Sequence, residues 1–253
     1  LAASSALGAA ICFTIRVSVH LLEYMLLYLI RHGQSVNNQL WDQTQSAKGR
    51  SFDPALTAIG YAQAECAANF LRVEMRDAAT RPKLLYTSLM IRAVETAAVI
   101  ARALDTSLVA LPDAHEVGGL YLDDETTGEK IGIPGPNRAH FEASYPALRL
   151  PPELDERGWW NRPHEAQAAR PERAARVWEF LLTQHGARDD VLGLVTHGGL
   201  YNYLLAHILK MPARENIWFA FDNCALSRVD VVGDQIRVVY QNRFDFLPPS
   251  LRT

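Results

Sequence analysis

Leu26-Leu27-Tyr28-Leu29-Ile30-Arg31-His32-Gly33-Gln34-Ser35 is a short apolar run that breaks abruptly into a basic, glycine-containing loop. A run of this length without polar alternation fits a strand covered on both faces, as in parallel sheets flanked by helices. The same pattern recurs at Leu84 to Tyr86, Leu108 to Leu111 and Val191 to Val195. Between these runs lie stretches of helical period. After Thr57, a suitable N-cap, Ile59, Ala62, Gln63, Cys66, Phe70 and Val73 recur at three and four. Ser88 is placed to cap a second helix whose buried stripe is Ile91, Val94, Ala98 and Ala101. A third is expected from about His164 to His185, with Val177, Phe180 and Leu181 facing inward, and a fourth from about Gly199 until Pro212 stops it. Ala225 to Val232 and Gln235 to Tyr240 flank Gly233-Asp234 and read as a hairpin.

Strands alternating with helices predict an α/β fold, a three-layer α/β/α sandwich with a mostly parallel sheet and an antiparallel edge from the closing hairpin. One domain, residues 25–253, accounts for the pattern. The stretch from about Gly118 to Pro163 breaks the rhythm, with Pro134, Pro136, Pro146, Pro151, Pro152 and Pro163 scattered through it. A structureless loop of that length is rare in a compact domain, so it reads as a lid inserted over one edge of the sheet. Residues 1–24 read as an N-terminal extension outside the fold, with Met25 the expected natural start and a secretory or anchoring segment as the alternative. Arg16 divides its apolar residues into halves, and neither reaches the roughly 18 to 20 needed to span a membrane. The opening Leu1-Ala2-Ala3-Ser4-Ser5 has no basic residue of the kind that begins a signal peptide.

The 253 residues are 49% apolar and 21% charged, which excludes disorder and collagen-like repeats. A net charge of −3 leaves no chain-wide footprint for nucleic acid or an acidic membrane, so neither is expected as a partner and any anion site must be local. Cys12, Cys66 and Cys224 are far apart and lack ligand spacing, which argues against a disulfide framework and a zinc site. The reducing cytoplasm is the expected compartment, and no metal or cofactor is expected.

In open α/β sheets ligands bind beyond the carboxyl ends of the strands. The first run passes into Arg31-His32-Gly33. The second ends at Tyr86-Thr87-Ser88 and delivers Arg92 on the opening turn of its helix, and the run to Val195 ends in Thr196-His197-Gly198-Gly199. Two arginines and two histidines therefore converge beside helix N-termini that also favour anions. At about 4 Å and an effective dielectric near 20, each unit pair of like charges repels by roughly 4 kcal/mol, which a bound dianion relieves. Phosphate fits best, because a guanidinium grips two of its oxygens in a fork. One histidine is then placed to attack phosphorus in line, and a carboxyl must protonate the departing oxygen. Glu116 is the best placed for that role and Asp113 second.

Leu29-Ile30-Arg31-His32-Gly33-Gln34-Ser35 followed by Asn38 resembles the opening motif of the histidine phosphatase superfamily, phosphoglycerate mutase-like branch. Leu56-Thr57-x-x-Gly60-x-x-Gln63-Ala64, Thr87-Ser88-x-x-x-Arg92-Ala93-x-x-Thr96-Ala97 and Thr196-His197-Gly198-Gly199 resemble its later blocks, in order, between about Met25 and Tyr240. The resemblance implies that His32 is the nucleophile and becomes phosphohistidine. It also implies that Arg31, Arg92 and His197 hold the phosphoryl group, with Gly198 beside it, and that Glu116 donates the proton. Ser35 and Asn38 either contact phosphate oxygens or merely cap the chain. Mutases of the family carry Glu-Arg-His-Tyr-Gly-Gly-Leu where this chain reads Glu116-Val117-Gly118-Gly119-Leu120, without the arginine and tyrosine that grip a second acid group. A metal-independent phosphatase acting on a small-molecule phosphate ester is therefore expected, with a mutase or a non-catalytic phosphate-binding module as alternatives. The oligomeric state is not legible. In the insertion, Trp159 and Trp160 either line the pocket or plug the lid onto the sheet. Arg138, Arg149, Arg157 and Arg162 are either a second anion contact or solvated surface, and the basic residues from Arg170 to Arg176 mostly read as the wet face of a helix.

Overall fold

Tyr24–Arg31 forms strand β1, paired in parallel with β7 (Asp190–Thr196) on one side and antiparallel with β8 (Leu226–Val232) on the other. The structure, a computed structural model, describes residues 24–73, 80–212 and 216–253. Period-two alternation along β1 feeds two cores. Leu26, Tyr28 and Ile30 pack with Ala64, Ala67 and Leu71 of α2 (Ala58–Val73) and with Val94, Ala97 and Ile100 of α3 (Ile91–Leu104). Met25, Leu27 and Leu29 face the other way, onto Val177, Trp178 and Leu181 of α5 (Arg170–His185) and Leu200, Leu204 and Leu205 of α6 (Gly198–Ile208). Both faces being covered is why the run lacks polar residues, and it makes the three layers.

The remaining strands are β2 (Leu84–Thr87), β3 (Ser107–Ala110), β6 (Leu148–Arg149) and β9 (Gln235–Arg243), giving the sheet order β6-β3-β2-β7-β1-β8-β9. Only β8 and β9 run antiparallel, as the closing hairpin requires. The stretch expected as a lid contains a separate hairpin, β4 (Tyr121–Asp123) with β5 (Lys130–Gly132), then α4 (Arg138–Ser144), and ends by adding β6 in parallel to β3. It therefore extends the edge of the sheet.

Several details differ from the periodicity reading. In α2 the buried positions are Gly60, Gln63, Ala64, Ala67, Ala68, Phe70 and Leu71, whereas Val73 is 51% exposed. The helix meets both the sheet and α3, and its alanines mark the close approach better than its larger side chains do. Ser88 is not the N-cap of α3. Met90 holds that position, and the Ile91 amide is taken by Asp53 Oδ1 at 3.0 Å, a cap supplied from a distant loop. The third helix starts with a 3-10 turn at Gln167–Ala169 before α5 begins. A polar helix, α1 (Val36–Thr44), was not anticipated: it buries none of its residues and so has no apolar stripe to read. The expected extension 1–24 lies outside the described residues apart from Tyr24, which β1 includes.

Candidate active site

The loop after β1 is clamped by its neighbours. The His32 amide donates to Thr196 O at 3.0 Å, and the His32 carbonyl accepts from the Cys224 amide at 3.3 Å and from Asn223 Nδ2 at 3.1 Å. A Cβ on Gly33 would run into the Gly60 carbonyl, and one on Gly60 into the Gln34 carbonyl. The two glycines let the first turn of α2 lie against the loop, which is the physical content of their spacing in the sequence.

His32 Nδ1 lies 2.7 Å from the Gly33 carbonyl, which places the ring proton on Nδ1 and leaves Nε2 as the lone-pair nitrogen. Arg92 Nε points at Nε2 from 3.2 Å. Burial, with the charges of Arg92 and Arg31, holds His32 well below the usual histidine range, so the ring is neutral. His197 ends β7 with its ring centroid 5.0 Å from that of His32. Its Nε2 sits 2.7 Å from Ser88 Oγ, its buried Nδ1 has no partner among the described residues, and burial pushes the ring well down too. A neutral ring that accepts the Ser88 hydroxyl at Nε2 carries its proton on Nδ1, free to meet an incoming oxygen.

Arg31 donates from Nη1 to Phe221 O at 2.6 Å. Arg92, 9% exposed, has Asp53 only loosely opposite it, at 4.0 Å, and Glu95 is taken by the Leu56 amide instead. Burial pushes the Asp53 carboxyl up to about 7. Among the described residues, neither arginine is consumed by a tight ion pair. Glu116 accepts the amides of Gly199 at 3.1 Å and Leu200 at 3.2 Å, at the positive end of α6, and of Val117 at 2.8 Å. A Cβ on Gly199 would collide with that carboxylate.

Two cavities, of about 340 and 260 Å³, share Arg31, Arg50, Arg92, Glu116 and Tyr121. The smaller also holds His32, Ser35 and Asn38; the larger opens past Gly198 toward Phe52 and Trp218, which is 66% exposed. The structure thus brings Arg31, His32, Arg92, Glu116, His197 and Gly198 together. Ser35 and Asn38 line the same space, but their side chains form the capping box of α1, with Ser35 Oγ donating to Asn38 Oδ1 at 2.9 Å. Contact with phosphate would exchange those bonds.

Asp113 lies elsewhere, bonded to Arg176 at 3.1 Å, beside a third cavity of about 350 Å³. Trp159 and Trp160 line that cavity and not the two at His32; Trp160 is 2% exposed and packs on Met90 and Leu120. Arg138 donates to the Pro151 and Leu154 carbonyls, Arg157 pairs with Asp155, and Arg162 covers the Trp160 ring at 4.2 Å. These arginines, and Arg149, are absent from the lining at His32.

Arg173 corrects the reading of Arg170 to Arg176 as a wet face: it is 2% exposed and paired with buried Glu165. Arg50 and Tyr121 were also missed. They sit in loops or short strands whose position depends on the tertiary fold, and Arg50 stacks over the Tyr121 ring at 4.2 Å. Among the described residues no group of His, Cys, Asp and Glu is arranged to hold a metal ion, and no helix is long and apolar enough to cross a membrane.

A family model described as histidine phosphatase superfamily (branch 1) matches residues 27–243. Similar solved structures include a candidate alpha-ribazole-5'-P phosphatase from Escherichia coli, at 21% identity and TM-score 0.59, with 87% of this chain and 96% of that one covered. Phosphoserine phosphatase from Entamoeba histolytica, solved with 3-phosphoglyceric acid, matches at 19% identity and TM-score 0.57, covering 88% and 100%. A mycobacterial glucosyl-3-phosphoglycerate phosphatase matches at 19% and 0.52, covering 87% and 100%. No curated protein matches in sequence.

Proposed function

Since the chain belongs to branch 1 of the histidine phosphatase superfamily, we propose that it is a metal-independent phosphomonoester hydrolase working through a phosphohistidine on a small phosphorylated metabolite. The observation that carries this is the His32 ring, its Nδ1 tied to the Gly33 carbonyl at 2.7 Å and its Nε2 facing the cavity beside Arg92. In the first step the Nε2 lone pair attacks phosphorus, the bond from phosphorus to the ester oxygen breaks, and that oxygen takes a proton from Glu116. Arg31, Arg92 and the Nδ1 of His197 hold the three equatorial oxygens, where charge is carried through the transition state. In the second step the Glu116 carboxylate removes a proton from water as the water oxygen attacks phosphohistidine. Inorganic phosphate leaves, and Glu116 again holds a proton while His32 is neutral. Burial helps here, because a ring held neutral into acid pH remains a nucleophile.

Release of phosphate, rather than transfer to a second hydroxyl, agrees with the Glu116-Val117-Gly118-Gly119-Leu120 segment, which lacks the mutase arginine and tyrosine. One observation favours a mutase as second reading: Arg50 and Tyr121 bring a guanidinium and a phenol to the same cavity from elsewhere in the chain. Phosphoserine and glucosyl-3-phosphoglycerate, named for two of the similar structures, are the first esters to try. Phosphate in solution supports hydrolysis, and an isomeric phosphate ester supports the mutase. His32→Ala is expected to abolish turnover of 4-nitrophenyl phosphate and acid-labile phosphoryl labelling; activity retained in that variant overturns the assignment.

A further inference from the structure

Glu116 lies in no strand. The segment that carries it turns through Gly118 and Gly119, both left-handed at φ of 88° and 73°, and has no sheet ladder to fix it. Besides the α6 amides on the Glu116 carboxylate and the Thr196 hydroxyl, which donates to the Ala114 carbonyl at 2.9 Å, it is held by an ion pair outside the cavities. Arg173, on α5, donates to Glu165 in bidentate fashion, from Nε to Oε1 at 2.5 Å and from Nη2 to Oε2 at 2.9 Å. Its remaining nitrogen, Nη1, donates to the carbonyls of Asp113 at 2.7 Å and His115 at 2.8 Å. Glu165 Oε2 accepts the Gly118 amide at 3.1 Å, and the Glu165 amide donates to the Gly118 carbonyl at 3.0 Å. Apart from the pair itself, every one of these bonds ends on a residue within three positions of Glu116, on both sides of it.

A buried ion pair is weak as a stabilising device, since apolar residues of similar volume often do as well or better. Its value is directional. A guanidinium with its donors in a rigid plane fixes two carbonyls and a carboxylate at once, which neither a lysine nor an apolar contact does. We propose that Arg173 and Glu165 are positioning residues for Glu116, setting its carboxyl against the departing oxygen from behind the cavity wall. The proposal rests on the reading of Glu116 as the general acid.

It predicts a loss graded by leaving group. A proton donor out of place by a fraction of an ångström costs little when the departing oxygen is a stable phenolate and much when it is an alkoxide. The series 4-nitrophenyl phosphate, phenyl phosphate and an alkyl phosphate is assayed for kcat and KM in Glu116→Gln, Glu165→Gln, Arg173→Lys and the double variant Arg173→Met with Glu165→Met. The double variant removes both charges together, so no lone buried charge remains to unfold it. Expected is a change within about 3-fold on 4-nitrophenyl phosphate and a fall of about 100-fold in kcat on the alkyl ester, within the range attributed to general acids, with KM nearly constant. Arg173→Lys is expected to lie between. Equal losses on all esters, or none, in the folded double variant or in Glu165→Gln overturn the positioning role while Glu116→Gln keeps its graded loss. An ungraded Glu116→Gln overturns the acid assignment and the positioning role with it.

Discussion

Arg92 aims its Nε at the Nε2 of His32 from 3.2 Å, so the cation that would grip a phosphoryl oxygen also occupies the approach to the proposed nucleophile. The bond keeps the lone pair oriented into the cavity and, with burial, discourages protonation of the ring. A bound phosphate ester would exchange it for bonds to its phosphate oxygens.

Arg92→Lys is expected to lower kcat/KM by about 100-fold or more, the scale of removing one preorganised donor from a developing charge. Lysine keeps the charge but not the planar fork. Steady-state kinetics on 4-nitrophenyl phosphate measure the loss, and a change under threefold would show that Arg92 does not hold the transferring group.

Stability should fall on the acid side, because three buried histidines outweigh Asp53, whose carboxyl, pushed up to about 7, takes a proton in the fold and offsets about one of them. His115 is pushed down to about 3 by burial and by the Arg173 charge, and His32 and His197 also lie well below their ordinary 6.5. Below pH 6.5 the unfolded chain binds protons these rings refuse, so unfolding free energy drops as pH falls toward about 3. Each ring contributes up to about 1.4 kcal/mol per pH unit in that window. Urea titrations at pH 7, 6 and 5 measure the slope, and His115→Leu is expected to reduce it by up to one proton. A pH-independent stability across that range would mean the rings are charged in the fold.

The strand ends were readable because each is an apolar run followed by polar residues that cannot continue it: Ile30 before Arg31-His32, Val195 before Thr196-His197. Placing His32, His197, Arg31 and Arg92 at one edge needed only the rule that ligands bind beyond the strand carboxyl ends. Arg173 was illegible for the opposite reason. Among neighbours such as Arg170, Glu172 and Arg176 on a helix it looks solvated, and only the fold shows that Glu165 and two carbonyls meet it. Helix α1 carries no apolar period at all, and its one signal was the Ser35 and Asn38 capping box.

Ser88 Oγ stands 2.7 Å from His197 Nε2 and fixes the orientation of that ring, whose Nδ1 is left buried beside His32. Ser88→Ala leaves Nε2 without its partner and lets the ring turn, and kcat is expected to fall about 10-fold, in line with about 1–2 kcal/mol for a buried bond. Melting temperature, followed alongside kcat, separates this from a general loss of packing: a proportionate loss of both would assign Ser88 to the core alone.

Gly199 is where the positive end of α6 meets Glu116, its amide 3.1 Å from Oε2. A methyl group there collides with the Glu116 carboxylate and with the Val117 side chain. Helix propensity alone makes Gly199→Ala stabilising by up to about 1 kcal/mol, since alanine is the better helix former. The clash works the other way and falls on the carboxyl and its supporting residue. Gly199→Ala is therefore expected to retain its fold, by circular dichroism, while losing turnover more severely on an alkyl phosphate than on 4-nitrophenyl phosphate. A variant that gains thermal stability and keeps full activity on both esters would show that Glu116 has room to move, and that its contact with α6 does not set the position from which it delivers a proton.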